Sequence, residues 1–369
     1  MQENNQNNYE NTDFSEETEQ NVAAPDDFAQ NPPQNTPNTQ YVPVYIPVNL
    51  ETPLEKEKKQ IRKTAMLAGL SCLLVSAITY VWGTVYFAVM AALGISTEQA
   101  YNLAQDPFVL QILQIIVSMF IFTLPFILVF SLGGQKISET VMLGLPKKEN
   151  RLSLVLIGIG TCAFANVAVS IAGSIFSQFG FDYEVDYGDD PKGILGFLIS
   201  FVATAIVPAL VEEFACRGLI LGSLKKYGEG FAIIASSVIF GMIHGNFEQI
   251  PFAFLIGLVL GFITVKSGSI WLSCFVHFFN NGISVVMSYL SDITSNDFIS
   301  IMYNVYLVAA LMVGVLGFCL LSRGDKNAFS IKNAETECSE WQKHKWFFTQ
   351  CTIIILFSIC LIESVLIFF

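Results

Sequence analysis

The sequence predicts an all-α fold: a polytopic transmembrane helical bundle of eight to nine spans behind a disordered N-terminal tail. Three observations predict it. Only 14% of the 369 residues are charged, against roughly 25% in ordinary soluble domains, while 53% are hydrophobic and the mean hydropathy is +0.54. Nine apolar stretches reach or approach the roughly 20 residues that cross a bilayer. Basic residues collect in every second loop between them. So few charges cannot cover a water-facing surface, which excludes an ordinary soluble enzyme. A formal charge of −12 with no basic stripe excludes a nucleic-acid binder.

Taken in order, the first 50 residues hold eight acids and no Lys or Arg, and they are rich in Asn, Gln and Pro. Such a segment buries too little apolar surface to offset its ordering entropy, so residues 1–55 are expected to be a disordered acidic tail. Inside it, prolines at 43 and 47 should keep Tyr41–Pro47 extended. The start of the chain lacks the basic-then-apolar layout of a secretory signal.

The apolar stretches fall near 65–90, 108–132, 153–176, 194–224, 231–247, 250–265, 269–290, 301–321 and 347–369. Residues 56–325 therefore form the transmembrane bundle, and 326–369 a cytoplasmic loop with a C-terminal hydrophobic helix that either spans, lies flat or re-enters. Basic residues gather at 56–63, at 136–151, at Lys225 and Lys226, at Lys266 and across 323–345, whereas 95–107, 177–191 and 291–300 hold acids but no Lys or Arg. The positive-inside rule then places the N-terminus in the cytoplasm of a multi-pass cell-membrane protein. The eight cysteines show no CxxC pair, and all but Cys338 lie in apolar stretches, as small buried hydrophobes do.

A charge at mid-bilayer costs at least about 2.5–3.5 kcal/mol on the insertion scale, so each one calls for a reason. The fourth stretch holds three, Glu212, Glu213 and Arg217, with apolar sequence on both sides. Glu213 and Arg217 are i,i+4 partners, which is how buried charge is tolerated. Glu212 points roughly 100° round the helix and lacks that partner. Pro208 frees the Thr204 carbonyl and should kink the helix just before the pair. His244 and His277 are equally misplaced, whereas His344 stands between two lysines as an interfacial residue. Measured from the nearest basic loop, Glu212 lies roughly 20 Å deep, His244 roughly 21 Å, His277 roughly 16 Å and Asn281 roughly 22 Å. Four polar groups on three helices thus reach one level.

Such a set can hydrolyse an amide. Glu212 would take a proton from water, His244 would help position or deprotonate that water, and His277 with Asn281 would donate to the developing oxyanion. The same residues could instead hold Zn2+ through Glu212, His244 and His277, although no HExxH pair is present. Phe240 reads as packing.

Three motifs stand in order on successive helices: Glu212-Glu213-Phe214-Ala215-Cys216-Arg217, Phe240 to His244, and His277 to Asn281. Over about 190–290 the sequence resembles the CPBP (Abi) family of CAAX proteases and bacteriocin-processing enzymes, in particular the type II CAAX prenyl endopeptidases. The resemblance implies an intramembrane endopeptidase whose catalytic core is this segment. Glu212 and His244 would activate water, His277 and Asn281 would form the oxyanion hole, and Glu213 with Arg217 would give support. Asn280, at i+3 from His277, could serve in place of Asn281. No cofactor is implied, with Zn2+ the alternative. The implied partners are a peptide or membrane-protein substrate, lipidated ones included, and the lipid bilayer. Two other readings use the same buried cluster. A proton-coupled transporter would show repeated broken helices in two halves, which the sequence lacks. A non-catalytic scaffold would keep its cellular effect in a folded Glu212→Gln variant.

Overall fold

Capping residues set several of the helix starts. The computed structural model describes residues 51–179, 190–247, 249–324 and 327–366, and among these it holds twelve helices and no strand. The tail up to residue 50, with its Tyr41–Pro47 run, and most of the 177–191 loop lie outside the described residues. Helix α1 (Pro53–Ala92) starts inside the stretch assigned to the tail, because Thr52 and Glu55 form a reciprocal capping box and Pro53 suits the first turn. Ser96 and Gln99 repeat the box for α2 (Thr97–Ala104), and the Asp106 carboxylate caps α3 (Pro107–Leu132). There follow α4 (Ile137–Thr140), α5 (Arg151–Gln178), α6 (Gly193–Tyr227), α7 (Glu229–Met242), α8 (Gln249–Ser267), α9 (Trp271–Ile293) and α10 (Asn296–Gly324). The last two are α11 (Glu340–Phe348), capped by a Ser339–Gln342 box, and α12 (Cys351–Leu366).

Each predicted apolar stretch overlaps one of these helices, and the last overlaps two. Six of them (α1, α3, α5, α6, α8 and α10) are long and apolar enough to cross a membrane, and α11 with α12 makes a seventh span if that pair, bent by 66°, is one. Helix α7 has only 14 residues. Helix α9 has 23, enough to cross, but His277, Asn280 and Asn281 lower its hydropathy. The last stretch is thus a broken helix, with Thr349 and Gln350 at the break.

Lipid offers little hydrophobic drive between helices, so close packing of small residues does that work. Between α5 and α10 a side-chain carbon placed on Gly160 would fall 2.4 Å from the Gly314 Cα, so only paired glycines let these backbones meet. The core around α6 and α7 buries Leu219, Ile220, Leu224 and Phe231, joined by Phe126 and Phe130 of α3 and Phe347 of α11. Val308, Met312 and Val315 of α10 point outward, as a lipid-facing stripe would.

The loops counted as basic in the sequence meet at one end. Lys147 N–H donates to Ser267 O (2.9 Å), Ile270 N–H to Met142 O (3.0 Å) and Trp271 Nε1–H to Leu143 O (2.9 Å). Glu229 N–H donates to Lys332 O (3.1 Å), and the Lys332 N–H returns to the Glu229 carboxylate (2.9 Å). Glu57 of α1 accepts from the N–H groups of Glu337 (3.1 Å) and Cys338 (3.0 Å). Helices α6, α7 and α9 run from this end toward the predicted site.

Candidate active site

Glu212, Glu213 and Arg217 lie in the middle of α6, whose backbone is not a plain α-helix. Turns of π-helix occupy Phe201–Ile206 and Phe214–Leu221, on either side of an α segment from Val207 to Glu213. Pro208 has no N–H to give, so the Thr204 carbonyl is released from the ladder, as expected from the sequence. The structure shows its new donor: the Asn281 side-chain amide of α9, at 3.0 Å. Asn280 in turn donates to the Asn281 carboxamide oxygen at 3.1 Å. Asn281 therefore ties α9 to the loosened turn of α6 through one N–H and keeps a second, as does Asn280.

Glu213 and Arg217 form the expected pair, Nη1 to Oε1 at 2.9 Å, with both side chains wholly buried. A second Arg217 nitrogen reaches the Gly257 carbonyl of α8 at 3.4 Å. His277 also bonds the same Glu213 oxygen through Nδ1, at 3.1 Å, and its Nε2 stands 3.8 Å from Glu212 Oε2. The sequence had not joined His277 to Glu213, because depth along a helix does not reveal direction around it. The bond fixes the ring: Glu213 can only accept, so in neutral His277 the proton sits on Nδ1 and Nε2 is an acceptor facing Glu212. Nε2 becomes a donor only in the doubly protonated ring.

His244 lies just beyond α7. The helix ends at Met242, two residues short of where the motif spacing on one helix would carry it, because Gly245 turns the chain with φ +66°. Its Nδ1 lies 2.7 Å from the Phe240 carbonyl, which can only accept, so the lone pair of the neutral ring is on Nε2. Phe240 does more than fill space. Its ring meets His244 edge-on at 5.0 Å and His277 at 5.8 Å, and the Arg217 guanidinium lies over it at 4.1 Å. One buried aromatic thereby joins both imidazoles and the arginine.

Three buried atoms of this network have no hydrogen-bond partner among the described residues: Glu212 Oε2, Glu213 Oε2 and Arg217 Nε. Of the two carboxylates, Glu213 is wholly buried and bonded through Oε1, whereas the Glu212 side chain is 20% exposed and stands 3.8 Å from His277 Nε2. A carboxylate oxygen so placed, beside an imidazole acceptor, suits a polar molecule that can donate twice, such as water. Among the described residues no three His, Cys, Asp or Glu side chains are placed to hold a metal ion.

All eight residues singled out in the sequence therefore lie on α6, α7 with its following turn, and α9, linked through Glu213, Phe240 and Thr204. His344 lies apart from them, stacked on Phe348 at 6.1 Å. Sequence reasoning missed a further acid, Glu363 of α12, whose carboxylate approaches Gly245 beside His244. It would have been found by the criterion that singled out Glu212, an acid inside an apolar run.

Fold and site together define a multi-pass helical membrane protein with a buried Glu–His–Arg–Asn cluster. Residues 194–283 match the family model described as "Type II CAAX prenyl endopeptidase Rce1-like". All eight site residues fall within that match, and the family resemblance drawn from the three motifs is borne out for this segment. The Bacillus subtilis (strain 168) protein named "Putative membrane peptidase YdiL" is 30% identical over 123 residues, which cover 32% of this chain and 49% of that protein. The chain thus spans about half the length of the curated relative it matches. No solved structure matches it.

Proposed function

We propose that the protein is an integral-membrane endopeptidase, CAAX-protease-like, that hydrolyses a peptide bond within the bilayer using water activated by Glu212. The observation that carries this reading is the Glu212 carboxylate: buried at one oxygen, without a hydrogen bond there, and 3.8 Å from His277 Nε2. Its neighbour Glu213 is neutralised by Arg217 and leaves Glu212 to act alone.

In the proposed reaction, water bound by Glu212 and His244 Nε2 gives a proton to the Glu212 carboxylate as its oxygen bonds the scissile carbonyl carbon. The carbonyl π electrons move to oxygen. That oxyanion is met by the remaining N–H groups of Asn281 and Asn280, and by His277 Nε2 when the ring is doubly protonated. Collapse breaks the C–N bond, and the proton on Glu212 passes to the leaving amine. Every step uses side chains of this chain alone; in the alternative, Glu212, His244 and His277 would have to close in on a Zn2+ ion, since as described they are not placed to hold one. The substrate is a peptide or membrane-protein segment, lipidated ones included, reached from the cytoplasmic side where the N-terminus lies.

The test is cleavage by purified protein in nanodiscs, with substrate found by comparing peptide termini between cells carrying wild-type and Glu212→Ala protein. A cut that vanishes in the variant supports the reading. Wild-type rates from Glu212→Ala would sink it. Loss of activity with a chelator, restored by zinc, would replace the metal-free step with the zinc alternative.

A further inference from the structure

The last helix carries one charged residue. Between Cys351 and Leu366 that residue is Glu363, which lies roughly 18 Å along α12 from Cys351 and so reaches the depth of Glu212 and His244. An acid at that depth needs a partner. Tyr80 of α1 supplies one, donating its hydroxyl to Glu363 Oε1. The other face of Glu363 looks at the His244 turn: a side-chain carbon built on Gly245 would stand 3.2 Å from Glu363 Oε2. Ser364, fully buried, donates its hydroxyl to the Gly245 carbonyl at 3.0 Å. Helix α12 therefore touches the chain at two points on the residue after His244.

The contacts from α12 add to the turn's own bonds. Helix α7 has ended, and the turn is held by His244 N–H to Gly241 O at 3.2 Å, Gly245 N–H to Met242 O at 3.1 Å, the Asn246 amide to His244 O at 3.2 Å and Gln249 N–H to Asn246 Oδ1 at 2.7 Å. The ring itself has one hydrogen bond, Nδ1 to Phe240 O, so its place follows the path of the turn. The positive φ of Gly245 favours glycine there, and a side-chain carbon would also press on the Glu363 carboxylate.

We propose that Glu363 and Ser364, with Tyr80 fixing the Glu363 carboxylate, are positioning residues that set where the His244 imidazole stands. Helices α1 and α12, which lie outside the matched segment 194–283, thereby complete the site. The catalytic consequence rests on the endopeptidase reading, but the positional claim does not.

Two readouts separate them. The chain has three histidines, so selectively labelled protein gives three ring signals, each assignable by substitution. In Glu363→Ala and Ser364→Ala the His244 signal is expected to shift while that of His344 stays. Peptide cleavage is expected to lose about tenfold to a hundredfold in kcat with KM nearly unchanged, as misplacing a reacting group does. Ser364→Thr, which keeps the hydroxyl, should restore both. Ser358→Ala on the same helix is the control and should move neither. An unmoved His244 signal and wild-type kcat in folded Glu363→Ala and Ser364→Ala overturn the proposal. Should neither fold, Tyr80→Phe, which removes only an exposed hydroxyl, decides it on the same signal. A shifted His244 signal in a protein that cleaves nothing upholds the positioning and overturns the endopeptidase reading.

Discussion

Glu212 and Glu213 are chemically identical neighbours, separated by their partners and by exposure. Glu213 Oε1 accepts from Arg217 and from His277 in a wholly buried side chain, so the residue is locked into the fold. Each acid has a buried Oε2 without a bond, but Glu212 is 20% exposed and makes no bond to Arg217. Glu212→Gln should therefore fold and melt like the parent while losing at least about 100-fold in cleavage, the lower end of what a general base contributes. Circular dichroism and turnover on the same preparation check both halves. Arg217→Met should do the reverse. It strands Glu213 as a buried unpaired charge and removes the cation over Phe240, a loss of about 3–5 kcal/mol in denaturant titration. Adding Glu213→Gln to Arg217→Met should recover much of that stability, because the stranded charge goes with it.

At the level of elements, the middle of α6 works because its ladder is broken there and mended from outside. Pro208 releases the Thr204 carbonyl, and Asn281 of α9 takes it up at 3.0 Å. With alanine at 208, a backbone N–H could return to that carbonyl and compete with Asn281. A double-mutant cycle should then show coupling: Asn281→Ala alone costs at most about 1–3 kcal/mol by leaving a half-buried carbonyl unpaired, and markedly less in the Pro208→Ala background. Equal costs in both backgrounds would separate the two residues. The α5–α10 contact makes a simpler prediction. Gly160→Ala puts a methyl where the Gly314 backbone stands and should destabilise by about 1–3 kcal/mol, with Gly314→Ala similar and the double variant worse.

For the whole molecule, much could be read ahead of the structure because lipid makes every polar group conspicuous. Nine apolar runs became helices or helix pairs, and the misplaced Glu212, Glu213, Arg217, His244 and His277 came together. Rise per residue gave their depth, but direction around each axis was hidden. The His277–Glu213 bond and the reach of Asn281 to Thr204 thus appeared only with the packed helices. The halt of α7 before His244 and the contact with Glu363 depend on chain far apart in sequence, and no local pattern encodes them. Sidedness lies between these cases. Positive-inside counting assigns the loops around 133–150, 225–228, 268–270 and 327–339 to the cytoplasm, and the structure brings these loops together at one end. Single cysteines test the assignment. In a background with exposed Cys319 and Cys351 changed to serine, Lys148→Cys should resist a membrane-impermeant maleimide in intact cells and react after lysis. Ser295→Cys, at the opposite end, should react in both. Native Cys338 should stay silent throughout, because burial and the hydrogen-bonded Glu57 push its thiol up to about 11 and leave little thiolate at neutral pH. Labelling of Lys148→Cys in intact cells would invert the protein, and the site would then open to substrates from the other side.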